Sequence, residues 1–98
     1  MATYLTTIKF TQQGVTAIQD TTKRAASFKA AAKKLGVKVT DLYWTLGAYD
    51  GLLICEAPDD ETVTAALLHL GSAGNVQTAT VRAFNAAEMD RVLAKLGG

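Results

Sequence analysis

Histidine, cysteine and paired carboxylates do most protein chemistry near neutral pH, and this chain uses them sparingly. His69 is its only histidine and Cys55 its only cysteine. One imidazole and one thiol make no metal site, which needs several donors at suitable spacing. Counted along a helical pattern from Val63, His69 falls off the apolar stripe, which puts it at the surface or its boundary. Cys55 stands in an apolar run and reads as a small buried hydrophobe rather than a nucleophile. The sequence holds no phosphate-cradling glycine loop, serine-triad motif or pair of catalytic carboxylates. That pattern argues against hydrolysis and nucleotide chemistry, and no metal or cofactor is expected.

A second group is better suited to binding than to bond-breaking: Tyr43, Trp44, Tyr49, Asp50 and Arg82. Each also has a plain structural reading. In the run Gly47-Ala48-Tyr49-Asp50-Gly51 the glycine supplies a positive φ, and Asp50 accepts N–H groups within the turn. Tyr49 then packs over the sheet edge. Alternatively, Tyr49 and Asp50 stand at a pocket mouth as donor and acceptor. Trp44 shares a phase with Leu42 and Leu46, so core or dimer interface is expected for it. Arg82 either closes an ion pair at a strand end or points with Tyr43 into the space between the sheet and a partner. There it needs a counter-charge, with Glu56 or Asp41 in reach.

The chain that must position these residues has 98 of them, enough for one domain spanning 1–98. Hydrophobic residues make up 49% and charged residues 19%, so a core can be buried. A net charge of +1 argues against a dedicated nucleic-acid binder. No apolar run reaches the roughly 18 residues of a membrane span, and the start does not read as a signal peptide. A cytoplasmic protein is the resulting expectation. Charge is blocked: six bases and no acid between Lys23 and Lys38, then six acids and no base between Asp41 and Glu61. Such blocks are solvated helix surface, or they steer an anion or a second copy.

Residues 3–10 alternate as a strand, and Gln12-Gln13-Gly14 ends it. After a short turn at Val15 and Ile18, Asp20 is a plausible N-cap. Ala25, Phe28, Ala32 and Leu35 then lie on one helical stripe, stopped by Gly36. Val37 and Val39 share one strand phase but Leu42, Trp44 and Leu46 share the other. A bulge near Thr40-Asp41 reconciles them. A hairpin leads to the apolar run Leu52-Leu53-Ile54-Cys55. Pro58 and Asp59 open a helix with Val63, Ala66, Leu67 and Leu70 on its buried side. Residues 75–84 form a fourth strand, and 86–96 a last helix using Met89, Val92, Leu93 and Leu96.

The order β-α-β-β-α-β plus a terminal helix is the α+β, ferredoxin-like arrangement: a four-stranded antiparallel sheet with helices on one face. Its other face is bare and apolar, and a second copy is the simplest cover. A homodimer of the dimeric α/β barrel type, or an assembly of dimers, is therefore expected.

Tyr43-Trp44-Thr45-Leu46-Gly47-Ala48-Tyr49-Asp50 resembles the signature of the GYD-domain family. Gly74-Asn75-Val76-Gln77-Thr78-Ala79-Thr80 is similar to that family's second recurrent segment, and Ala57-Pro58-Asp59-Asp60-Glu61 to its helix entry. The resemblance covers essentially the whole chain. It implies a ferredoxin-like domain of the dimeric α/β barrel group, mostly small bacterial proteins, and no biochemical role. The hairpin also looks like that of the small-molecule-sensing domain of Lrp/AsnC regulators.

Three functions fit: a small-ligand-binding or sensing module, a cofactor-less enzyme in which a Tyr, Asp or His moves a proton, or an interaction protein without a pocket. On the first, the ligand is small and anionic or aromatic, held at the sheet/dimer interface. Alanines on both helices predict tight packing against the sheet, so any cavity is expected on the partner-facing side or near the hairpin, not under the helices.

Overall fold

The computed structural model describes residues 1–97. Its elements are β1 (Ala2–Phe10), α1 (Gln12–Thr16), a 3-10 turn (Ile18–Asp20), α2 (Thr21–Lys34), β2 (Lys38–Trp44), β3 (Gly51–Ala57), α3 (Asp60–Ser72), β4 (Val76–Ala83) and α4 (Ala86–Ala94). The sheet order is β2-β3-β1-β4, with every neighbouring pair antiparallel. This is the α+β, ferredoxin-like architecture expected from the sequence. The expected strand over residues 37–46 ends at Trp44, which leaves Leu46 fully exposed in the hairpin loop.

Side-chain alternation divides the sheet into two unlike faces. Tyr4, Thr6 and Ile8 of β1 and Leu53, Cys55 and Ala57 of β3 are buried under α2 and α3. Phe28 and Ala32 of α2 and Val63 and Ala66 of α3 close that layer from above. Leu53 has no exposed surface, and burying such a side chain stabilises the fold by about 1.5–3 kcal/mol. Thr6 is buried without cost because its hydroxyl shares a hydrogen bond with that of Thr80 at 2.8 Å.

The register of β2 against β3 shifts between Val39 and Asp41, so one extra residue lets Val39 and Leu42 both face the helices. On the opposite face lie Leu5, Leu52 and Ile54, with Ala79 and Val81 of the edge strand exposed. No described element covers them.

α4 is set by a capping box: Asn85 Oδ1 accepts the Glu88 N–H at 2.8 Å, and Glu88 Oε1 accepts the Asn85 N–H at 3.0 Å. None of its residues is buried, and Met89, Leu93 and Leu96 stand in the open. The radius of gyration is 15.0 Å, against about 13 Å for a compact chain of this length. A helix standing off the sheet accounts for such an excess. No described helix is long and apolar enough to cross a membrane.

Candidate functional site

Asp50 organises the hairpin. Its own N–H donates to the Ile8 carbonyl at 2.8 Å, while its Oδ2 accepts the Phe10 N–H at 2.8 Å. Strand pairing between β1 and β3 ends at Ile8–Gly51, and the carboxylate then satisfies the next β1 donor in place of a backbone carbonyl. The expectation that Asp50 bonds within its own turn is corrected: its side chain binds a strand 40 residues away in sequence. The turn closes without that carboxylate. The Thr45 N–H donates to the Asp50 carbonyl at 3.0 Å and the Thr45 hydroxyl to the Tyr49 carbonyl at 2.7 Å. Gly47, at φ 122°, takes the conformation that side chains resist.

Beside this hairpin, between α2, α3 and the sheet, opens a cleft of about 350 Å³. Ile8, Phe10, Leu42 and Leu53 line it from the sheet, Phe28 from α2 and Leu70 from α3. Trp44 stands at its edge, half-exposed, with Nε1 donating to the Thr21 hydroxyl at 3.0 Å. Lys23, Arg24, Asp20, Asp50, His69 and Asn75 supply its polar groups. The cavity is thus under the helices, at their hairpin end, which corrects the expectation of tight alanine packing there. Small residues on the lining (Ala25, Ser27, Gly51, Ala73) leave the space that larger ones would fill.

A separate polar cluster occupies the far end of β1, four residues or ~13 Å along the strand from Ile8. There the Tyr4 hydroxyl donates to Asp60 Oδ1 at 2.5 Å. That bond, burial and the Asp60 charge together hold the phenol above its usual pKa. Arg82 spans the rings of Tyr4 and Phe84 (5.9 and 4.5 Å to their centroids) and pairs with Glu88 at 3.0 Å. The Asn85 N–H and then Arg82 keep the Glu88 carboxyl below its usual range. At the start of α3, Asp59 caps Thr62 at 2.8 Å, and bonds from Thr62 lower its pKa. Burial raises the Cys55 thiol.

The five residues singled out from the sequence are therefore not one constellation. Trp44 and Asp50 line the cleft, and Tyr43 borders it from the strand. The Tyr43 ring lies on the opposite face, its hydroxyl 3.4 Å from Asp41 Oδ1. Tyr49 is half-exposed outside the cleft lining. Arg82 points to the helix side, opposite the face that carries Glu56 and Asp41, so neither is its partner. Trp44, also on the helix side, is not on the bare face.

Sequence reasoning misses Arg24 and Gly14. In the sequence Arg24 is only part of a basic block; in the fold it donates to the carbonyls of Ala17 (2.6 Å) and Gly14 (3.4 Å), where the short α1 ends. A Cβ on Gly14 would meet the Asn75 carbonyl oxygen at 2.0 Å. This close approach seats α1 on the loop before β4, together with the Thr11 N–H to the same oxygen at 3.1 Å. No local signal marks that glycine, since its role is set by a residue far along the chain. Among the described residues no cluster of three or more His, Cys, Asp or Glu side chains could hold a metal ion.

The model of the GYD domain matches residues 4–93. A Thermus thermophilus protein named "glutamine synthetase and cystathionine beta-lyase binding protein" is 32% identical over 90 residues, 91% of this chain and 95% of that one. A crystal structure of a protein from Thermus thermophilus superposes with a TM-score of 0.58 at 23% identity, over 88% of this chain and 96% of that one. An AsnC family transcriptional regulator from Agrobacterium tumefaciens does so with 0.58 at 15% identity, over 86% and 50%. The chain spans about half the length of that regulator. At these identities the structural likenesses speak for the fold alone.

Proposed function

The chain belongs to the GYD domain family, and from that footing we propose that it is a small-ligand-binding subunit of a homodimer. The observation that carries this reading is the cleft. An apolar-walled cleft of about 350 Å³ beside the hairpin leaves hydrophobic surface in contact with water, and a small molecule seated there gains the free energy of covering it. The volume lies at the lower end of the range for small-molecule sites, and polar groups at the mouth can orient a ligand. A proton-transfer role has less support, because Asp50 is committed to the Phe10 N–H and His69 stands exposed. The homodimer rests on the bare apolar face around Leu5, Leu52, Ile54 and Val81. A second reading, docking to other proteins, is favoured by the name of the Thermus relative, which describes binding to two enzymes.

Native mass spectrometry of protein purified gently from its own host tests the ligand. We expect an extra small-molecule mass on the chain, reduced in Ala25→Leu, which puts side-chain volume into the cleft. A bare chain, with no thermal shift across a small-molecule library, would overturn the ligand reading. Co-purification of an enzyme with that bare chain would put protein docking in its place.

A further inference from the structure

Arg24 narrows the class of ligand, on the footing of the small-ligand reading above. Arg24 is half-buried and lines the cleft. Its Nη1 and Nη2 each donate to one backbone carbonyl, of Ala17 and Gly14. A guanidinium has five N–H donors, so most of its edge is unused. Among the described residues the ion pair is Arg82–Glu88, so no carboxylate lies within salt-bridge reach of Arg24. A positive charge partly withdrawn from water and met only by neutral acceptors favours an anion beside it. The two acids at the cleft do not fill that role: Asp50 holds the Phe10 N–H, and Asp20 is exposed and makes no ion pair with Arg24. Lys23 and His69 also line the cleft and add no negative charge. The same cleft is lined by Phe10, Phe28 and Trp44, and flat rings pack well against one another.

We infer that the cleft takes a small aromatic carboxylic acid, its ring among Phe10, Phe28 and Trp44 and its carboxylate on Arg24. A body of one or two rings suits a volume of about 350 Å³.

Trp44 is the only tryptophan, so its fluorescence reports directly on the cleft edge. The full chain is titrated with 4-phenylbutyrate, 4-phenylbutanol and hexanoate. The aromatic acid should bind about tenfold or more tighter than the alcohol, the scale of a charge-assisted contact. It should also bind more tightly than hexanoate. In Arg24→Gln the acid should fall to the affinity of the alcohol, while the alcohol keeps its wild-type value and so shows the cleft intact. Equal binding of acid and alcohol to the wild type overturns the anion assignment, whatever the variant does. Equal binding of phenylbutyrate and hexanoate overturns the aromatic one. Both results leave the small-ligand reading standing, whereas silence of Trp44 toward all three probes counts against that reading itself.

Discussion

Replacing Asp50 by alanine removes the acceptor of the Phe10 N–H and nothing else from the β1–β3 pairing. The bond is 2.8 Å long and its acceptor is a carboxylate, a class whose net contribution is about 1.5–3 kcal/mol. Asp50 and Phe10 are only half-buried, so water partly compensates and the lower half of that range applies, about 1.5–2 kcal/mol. For a domain of this size such a loss lowers the melting temperature by roughly 6–16 °C. Asparagine keeps an oxygen in place without the charge, so Asp50→Asn should cost about 0.5–1.5 kcal/mol. Urea denaturation measures both, and amide exchange isolates the cause: the Phe10 N–H should lose protection in the alanine variant and keep most of it in the asparagine one. An alanine variant that melts with the wild type, or a Phe10 amide equally protected in both, would refute the reasoning. Asp50 would then be left free to act on a ligand, since it also lines the cleft.

Gly14→Ala should destabilise by about 1–3 kcal/mol or more, because the new Cβ meets a backbone oxygen at 2.0 Å that cannot swing aside; a denaturation midpoint equal to wild type would count against the seating of α1. On the proposed homodimer, light scattering should show a dimer for the wild type and a folded monomer for Val81→Glu, because Val81 is 60% exposed in the single chain; a monomeric wild type would refute the dimer, and a dimeric variant would move the interface off the bare sheet face. Glu88, with its folded pKa below the ordinary 4.5, contributes above the unfolded value, and its share is lost as pH falls through the depressed one. NMR should therefore show the Asn85 and Glu88 amides shifting together below pH 4.5, and an α4 start that keeps its shifts through that titration would contradict the capping box.

What can be read in the sequence is whatever repeats along one element. Val39 and Leu42 lie out of step by one residue, and a bulge is the only way to face both toward one core, which is how the β2–β3 register runs. The stripes of α2 and α3 likewise name Phe28, Ala32, Val63 and Ala66, all buried, though Leu35 at the end of the α2 stripe is exposed. What cannot be read depends on elements meeting across space. Sequence reasoning offers Arg82 either Glu56 or Asp41 as partner, both on the wrong face; Glu88 belongs to a helix whose angle to β4 no periodicity specifies. The cleft escapes for a different reason. Alanines are expected to draw helix and sheet together, yet Ala26 and Ala30 are exposed, and only Ala32 of the α2 alanines is fully buried. Close approach needs small residues at every contact along a helix. In α2, Phe28 also faces the sheet and has to be accommodated, so Ala25 one turn earlier leaves a gap instead of a contact. A large residue beside a small one on the same stripe props the layers apart, and here the space that results is lined by Phe28, Ala25 and Trp44.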